Sequence, residues 1–459
     1  MSSADRTDRG GRPTRVALVG AGASGTLAAV HLLRAAATGR RPMRLTLVDR
    51  TGEFGPGLAY RTGDPRHLLN TPAGKMSAFD DDPGHFVRWS RARGHDADDG
   101  AFLPRGDYGT YLAETLRSEE RRAVEFAEVR RVTDTVTGLA PHEEGVTIRL
   151  SRGAPLRADT AVLATGAGGG DPLSRLLPGH TSRYVADPWT GDGIAGVADG
   201  SPVLVLGTGL SMMDIAASIT DANPRTVVHA VSRHGLVPRP HAPGAPAPAG
   251  LPEPPRSAAS VGDLLRYARR SLADDPGRWR EFVDRMRPHT PRLWRQLAVP
   301  ERRRFLDRVN RYWDVHRHRA APTTHDHVRA LIRAGRLVVR PATVDRLRPN
   351  ENGFEVDLTT PSGHRSLPVG WVVNATGFRT AGDRPDPLVR GLFETGAARP
   401  DPVGLGVATG VDGRVLGRDG RPRPVYVLGA LRRGEVFEST AVPEIRAQAA
   451  ALAGAALGG

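Results

Sequence analysis

The sequence predicts an α/β fold with two Rossmann-like dinucleotide-binding domains and a helical insertion. Three observations carry this expectation. A short apolar strand, Thr14 to Val19, runs straight into a glycine loop and a helix-like run. The same plan returns at Gly207, 187 residues after Gly20. The chain has 459 residues, too many for one hydrophobic core and enough for two or three domains.

Hydrophobic residues make up 39% and charged residues 25%, the balance of a globular chain. No run of about 18 apolar residues occurs, so no transmembrane helix is expected. The polar, Arg-containing start lacks the apolar stretch of a secretory signal, and a cytoplasmic location is expected. There is no cysteine. That excludes disulfides, thiolate metal sites, a cysteine nucleophile and a redox dithiol, so any redox chemistry must sit on a bound organic cofactor. The net charge of +14 is almost wholly arginine, with Lys75 the only lysine among 64 basic residues. The arginines are scattered rather than blocked. No nucleic-acid partner is expected, but the field can steer anionic ligands.

In chain order, the helix after the first glycine loop runs to about residue 37, and Leu45 to Val48 is the next strand. Residues 52–109 are polar and rich in Gly, Pro and Asp, too long for an ordinary loop. A helix at about 107–122 and strands near 125–133, 145–150 and 160–165 follow. The second unit opens with the strand Val203 to Leu206, a helix and the strand Val227 to Val231. A Pro/Ala/Gly linker at 237–255 leads to an Arg-rich helical stretch over about 259–335. Strands return at 337–347, 353–359, 369–375 and 426–428, and Pro443 to Leu457 reads as a closing Ala-rich helix.

Gly20, Gly22 and Gly25 match G-x-G-x-x-G, with Ser24 inside the loop. Gly20 permits the tight turn, Gly22 lets backbone approach a pyrophosphate, and Gly25 lets helix and strand pack closely. Asp49 ends the next strand, where a carboxylate accepts from a ribose hydroxyl. In the second loop, Gly207 and Gly209 are followed by Ser211 near the third-glycine position. No acid ends the next strand. Ser232 and Arg233 stand there, a hydroxyl and a guanidinium suited to a 2′-phosphate. The reading is NADPH rather than NADH. Two dinucleotide folds without cysteine imply a tightly held flavin and a hydride donor.

Domain bounds follow: a disordered leader at 1–13, an FAD-binding domain at 14–196, an NADPH-binding domain at 197–375 with its linker and insertion at about 236–335, and the rest of the FAD-binding domain at 376–459.

Ala164-Thr165-Gly166 and Asn374-Ala375-Thr376-Gly377-Phe378 each end a strand and resemble the paired Ala-Thr-Gly motifs of two-dinucleotide flavoproteins. The segments Gly55 to Tyr60, Leu68 to Ser77, Tyr312 to Arg319 and Arg433 to Glu444 resemble an FAD/NAD(P)-binding family found in many bacteria. Flavin-dependent N-monooxygenases stand near it, including the aspartate N-monooxygenase that forms nitrosuccinate. Arg105, Tyr108, Tyr111 and Leu112 give a more distant likeness to ornithine and lysine N-hydroxylases.

The resemblance implies FAD and NADPH as cofactors. Hydride passes to the flavin, O2 gives a C4a-(hydro)peroxide shielded from water by bound NADP+, and a neutral amine attacks the distal oxygen. It also implies that Lys75 acts at the flavin, NADP+ or a substrate carboxylate, and that Asn70 bonds the flavin or its oxygen adduct. Thr165, Gly166 and Gly377 would line the cofactor. Thr440, Ala441 and Val442 precede the last helix, whose N-terminus suits negative charge on the flavin. His316, Arg317 and Arg319 form a cationic cluster that could capture a substrate carboxylate. No metal is expected there, because His-x-His lacks further ligands. The expected activity is N-oxygenation of a small amine, with an amino acid as the leading class and L-aspartate as the named substrate. C-oxygenation, an NADPH oxidase or reductase, and a non-catalytic flavin-binding sensor are the competing readings. No membrane partner is expected, and a homo-oligomer is left open.

Overall fold

The computed structural model describes residues 12–166, 171, 176–177, 182–190, 193–197, 199–242, 250–377 and 386–457. Most of the expected leader, part of the linker and Phe378 lie outside these residues.

Each glycine loop sits on its own sheet. The first sheet has six strands in the spatial order Arg414–Leu416, Pro422–Val427, Thr160–Leu163, Thr14–Val19, Met43–Asp49 and Ala127–Thr133. All its pairs are parallel except the first. The second runs Leu337–Pro341, Val228–Ser232, Val203–Leu206, Trp371–Asn374 and Tyr184–Val185, all parallel. The central strands are largely apolar because both faces are covered: helices pack on one face of each sheet and an antiparallel three-stranded sheet on the other. Val203 to Leu206 are all buried.

The two units repeat each other further than the sequence suggested. In both, an antiparallel three-stranded sheet comes just before the strand that ends in Ala-Thr-Gly. Val136–His142, Gly145–Leu150 and Leu156–Ala158 form one; Thr343–Asn350, Gly353–Thr360 and Gly363–Val369 form the other. One expected boundary moves. Tyr184–Val185 pairs with Trp371–Asn374 in the second sheet, so the chain crosses before Tyr184 rather than at 196.

The glycine-loop helix Ala23–Gly39 is buried along most of its length and packs against the last helix, Val442–Leu457. Alanines on both let the backbones approach closely. The polar segment 52–109 is folded rather than looped. It carries the helix His85–Arg91 and lies along the helix Arg105–Arg122, whose Tyr108, Tyr111 and Leu112 are wholly buried.

The insertion consists of short amphipathic helices between Val261 and Arg317. A capping box at Ser260 and Asp263 starts the first of them. The insertion packs on the chain just before the last helix. Trp294 stacks on Phe437 at 4.6 Å between ring centroids and donates to the Gly434 carbonyl at 2.8 Å. Phe437 is held at φ 51°, one of two non-glycine residues with positive φ among those described. No described helix is long and apolar enough to cross a membrane.

Candidate active site

The glycine loops have matching geometry. Gly20 N–H donates to Val48 O and Gly207 N–H to Val231 O, both at 2.8 Å. Gly20 and Gly207 adopt φ of 94° and 105°, which disfavours any side chain. A Cβ would also lie 2.7 Å from Ala164 O at Gly20, and 2.3 Å from Ala375 O at Gly207. Each Ala-Thr-Gly motif therefore closes over the first glycine of its own loop. Thr165 and Gly166 stand at the end of the first loop's sheet, and Gly377 at the end of the second.

Gly22 faces Gly57, where a Cβ would meet Gly57 Cα at 3.2 Å. Gly209 is different. Its φ of −81° suits any residue, and nothing lies within 4 Å of its missing Cβ. Neither strain nor packing requires glycine there, and the open space at the helix N-terminus would admit the close approach of a pyrophosphate. This is the fit the dinucleotide reading needs.

One sequence expectation is corrected here. By register with Gly20 and Gly22, the residue matching Gly25 is Met212, not Ser211. A Cβ on Gly25 would sit 2.0 Å from Gly20 O, whereas the second helix accommodates a fully buried Met212. Ser211 instead matches Ser24, whose Oγ faces Gly429 just after the strand Pro422–Val427.

Asp49 serves the loop itself as well as any ribose. It accepts from Ala21 N–H at 2.9 Å and from Thr51 N–H and Oγ–H at 2.9 and 2.7 Å. In the second unit the matching position is Ser232, bonded to Thr208 Oγ1 at 2.8 Å. Thr208 donates to Leu236 O at 2.5 Å, so the Ser232 proton goes to Thr208. Ser232 shapes the turn and has no donor left for a phosphate. Arg233 beside it is exposed.

Asn70 and Lys75 come together with the insertion and the last helix. His241 donates from Nε2 to the main-chain Asn70 O at 3.0 Å, which in the neutral ring places the proton on Nε2. Burial, reinforced by Arg319, lowers its pKa to about 4 and keeps that form at neutral pH. The Lys75 side chain is solvent-accessible, and its ammonium has no bonded partner among the described residues. The surrounding protein desolvates it and lowers its pKa; Asp284 opposes this, and Arg287, Arg319 and Arg317 add to it.

The expected cationic cluster is rearranged by partners distant in sequence. Arg317 is buried and bonds Glu438 at 3.1 Å, with Glu444 at 3.6 Å. Arg319 is buried against Asp284. Their charges are already matched, so neither is the free substrate anchor expected. His316 turns away, with Nδ1 on its own helix at Tyr312 O and its ring edge-on to Trp279. Among the described residues no group of three or more His, Cys, Asp or Glu could hold a metal.

Sequence reasoning missed Asp284, Arg287, Glu438 and Glu444. Arg287 makes a two-pronged bond to Glu444 at 2.5 and 2.6 Å, which fixes the first turn of the last helix. Arg446 reaches back to Ser77 O at 2.7 Å, tying that helix to the Lys75 segment. Thr440 and Ala441 lead into the helix, which begins at Val442. Ser439, with no exposed surface, leaves its Oγ without a hydrogen-bond partner there.

Residues 17–168 match the model of an FAD-NAD(P)-binding family. No curated protein matches the sequence. Solved structures of similar fold include a reduced ornithine hydroxylase from Pseudomonas aeruginosa, with TM-score 0.65 and 16% identity over 97% of this chain and 99% of that one. An L-lysine 6-monooxygenase from Pseudomonas syringae gives TM-score 0.65 and 18% identity over 96% and 98%. An ornithine N-hydroxylase from Kutzneria sp. 744, with reduced FAD, NADP+ and L-ornithine, gives 0.60 and 18% over 97% and 99%. At these identities the likeness establishes the two-dinucleotide fold along nearly the whole chain.

Proposed function

We propose that this chain is an FAD-dependent, NADPH-using monooxygenase that oxygenates the nitrogen of a small amino acid, with L-aspartate the leading candidate. The observation that carries the substrate class is Lys75. It is the chain's only lysine, and its ammonium, unpaired among the described residues, stands near three arginines already bonded to carboxylates. A free ammonium among matched charges is a place for a substrate carboxylate. The N-hydroxylase neighbours of like fold support the reaction class, and the absence of cysteine argues against a dithiol reductase.

FAD, when bound, supplies hydride acceptance and oxygen activation. The Gly20 loop, Thr165 and Gly166 would hold it, with the N-terminus of Val442–Leu457 toward its anionic ring. The Gly207 loop and Arg233 would hold NADPH. Lys75 binds the substrate carboxylate and Asn70 offers its side-chain amide, from a backbone anchored by His241 at the Asn70 main-chain carbonyl. The desolvation that, with Arg287, Arg319 and Arg317, lowers the Lys75 pKa would act in the same direction on a substrate ammonium, favouring the neutral amine that can act as a nucleophile.

The test follows NADPH oxidation in air by the FAD-loaded protein with aspartate, ornithine, lysine and cadaverine. Acceleration by an amino acid, but not by cadaverine, is expected. Equal acceleration by cadaverine would remove the role given to Lys75. Acceleration by none, with NADPH consumed only to hydrogen peroxide, would leave an oxidase.

A further inference from the structure

Resting on the NADPH reading above, we propose that the helical insertion is part of the dinucleotide site: Arg311 joins Arg233 and His234 to grip the 2′-phosphate of NADPH. Matching the two units places Ser232 where Asp49 stands in the first, so the acid that would repel a phosphate is gone. Ser232 cannot replace it as a donor, because its proton is committed to Thr208. Recognition passes to the residues that follow.

Arg233 and His234 are both exposed at the strand end. Arg311, from the helix Asn310–Arg317, brings Nη1 to 3.2 Å from His234 Nε2. The same nitrogen donates to Asp307 O at 3.0 Å, and the guanidinium lies 5.1 Å from the Tyr312 ring centroid. A guanidinium has only donors, so His234 Nε2 accepts and Nδ1 carries the ring proton. Neither Arg233 nor Arg311 has a carboxylate partner among the described residues, whereas Arg287, Arg317 and Arg319 all do. Two guanidinium forks and a ring N–H, contributed by two elements and lacking a counter-charge, suit the oxygens of a phosphate monoester.

The arrangement also links two parts of the protein. Arg317 lies six residues along the same helix, about 9 Å of rise away, and pairs with Glu438 beside the last helix. One short helix therefore spans from the phosphate grip to the substrate cleft.

The experiment measures binding of 2′,5′-ADP and 5′-AMP to the FAD-loaded protein by calorimetry. Wild type should prefer 2′,5′-ADP. Arg311→Ala and Arg311→Gln should each lose about tenfold or more in 2′,5′-ADP affinity while holding 5′-AMP within about twofold, and Arg311→Lys should recover part of the loss. An unchanged flavin spectrum shows that the variants are folded. If wild type prefers 2′,5′-ADP and both Arg311 variants keep that preference while Arg233→Ala loses it, the role of Arg311 is refuted and the NADPH reading stands. If wild type binds the two probes alike, both fall.

Discussion

Gly207 and Gly209 stand two residues apart and answer to different demands. Gly207 is held at φ 105° with Ala375 O only 2.3 Å from where a Cβ would go. Gly207→Ala should cost about 1–3 kcal/mol of stability, read from the denaturation midpoint. Gly209 has an ordinary φ and open space. Gly209→Ala should leave stability within about 0.5 kcal/mol of wild type but weaken NADP+ binding in a titration. An affinity equal to wild type would show that the open space belongs to something other than the cofactor. Lys75 sets a second residue-level expectation. Lys75→Ala should raise KM for the amino acid roughly 10- to 100-fold, the range of one hydrogen bond to a charged group. The ammonium holds a carboxylate only while protonated, and burial lowers its pKa, so KM should rise at lower pH than an ordinary lysine would allow. Lys75→Arg, whose guanidinium does not titrate in this range, should bind more weakly at neutral pH but lose that alkaline rise.

At the scale of elements, the glycine-loop helix of the second unit, Leu210–Ala222, is fastened to the first unit by polar contacts. His67 and Asp64 both meet Ser218 Oγ, at 2.9 and 2.7 Å, Arg66 meets Asp221 at 2.6 Å, and Arg105 meets Asp214 at 2.8 Å. Arg105 also lies 5.0 Å from the Trp189 ring centroid. These bonds hold the two dinucleotide sites in one mutual orientation. Asp214 is buried, and desolvation raises its pKa to about 6 against the pull of Arg105. The sign follows from linkage. Where the folded pKa exceeds the unfolded one, ionisation costs stability as pH rises from about 4 to about 6. Asp214→Asn should flatten that slope in urea midpoints taken across the range. Arg105→Met should be the worse change at pH 7, about 3–5 kcal/mol, because it leaves a buried carboxylate alone. If Asp214→Asn proves the more damaging of the two, the pair contributes through attraction and not through solvation of a buried charge.

For the whole molecule, the duplicated plan explains what could be read in advance. Glycine loops, their strands and the Ala-Thr-Gly ends are local signals, because each states its own backbone geometry within a few residues. The three-stranded sheets were only partly legible. Val136–His142 carries Gly138 and Pro141 and is specified by pairing with Gly145–Leu150 rather than by its own pattern. The helix His85–Arg91 was hidden because only seven residues separate its flanking turns. The cationic motif at 316–319 was visible, but its meaning was not: Glu438, which bonds Arg317, lies 121 residues away. The contrast with Lys75 could be drawn only once those pairings were known. The central claim is that this fold places an amino acid where one atom of O2 can reach its nitrogen. The most direct measurement runs the FAD-loaded protein with NADPH and aspartate under 18O2 and reads the product by mass spectrometry. The account predicts a product carrying 18O on nitrogen, formed only when NADPH is present. Recovery of unlabelled aspartate, with all the 18O in hydrogen peroxide, would contradict it for this substrate; the same result across the amino-acid panel would contradict it altogether.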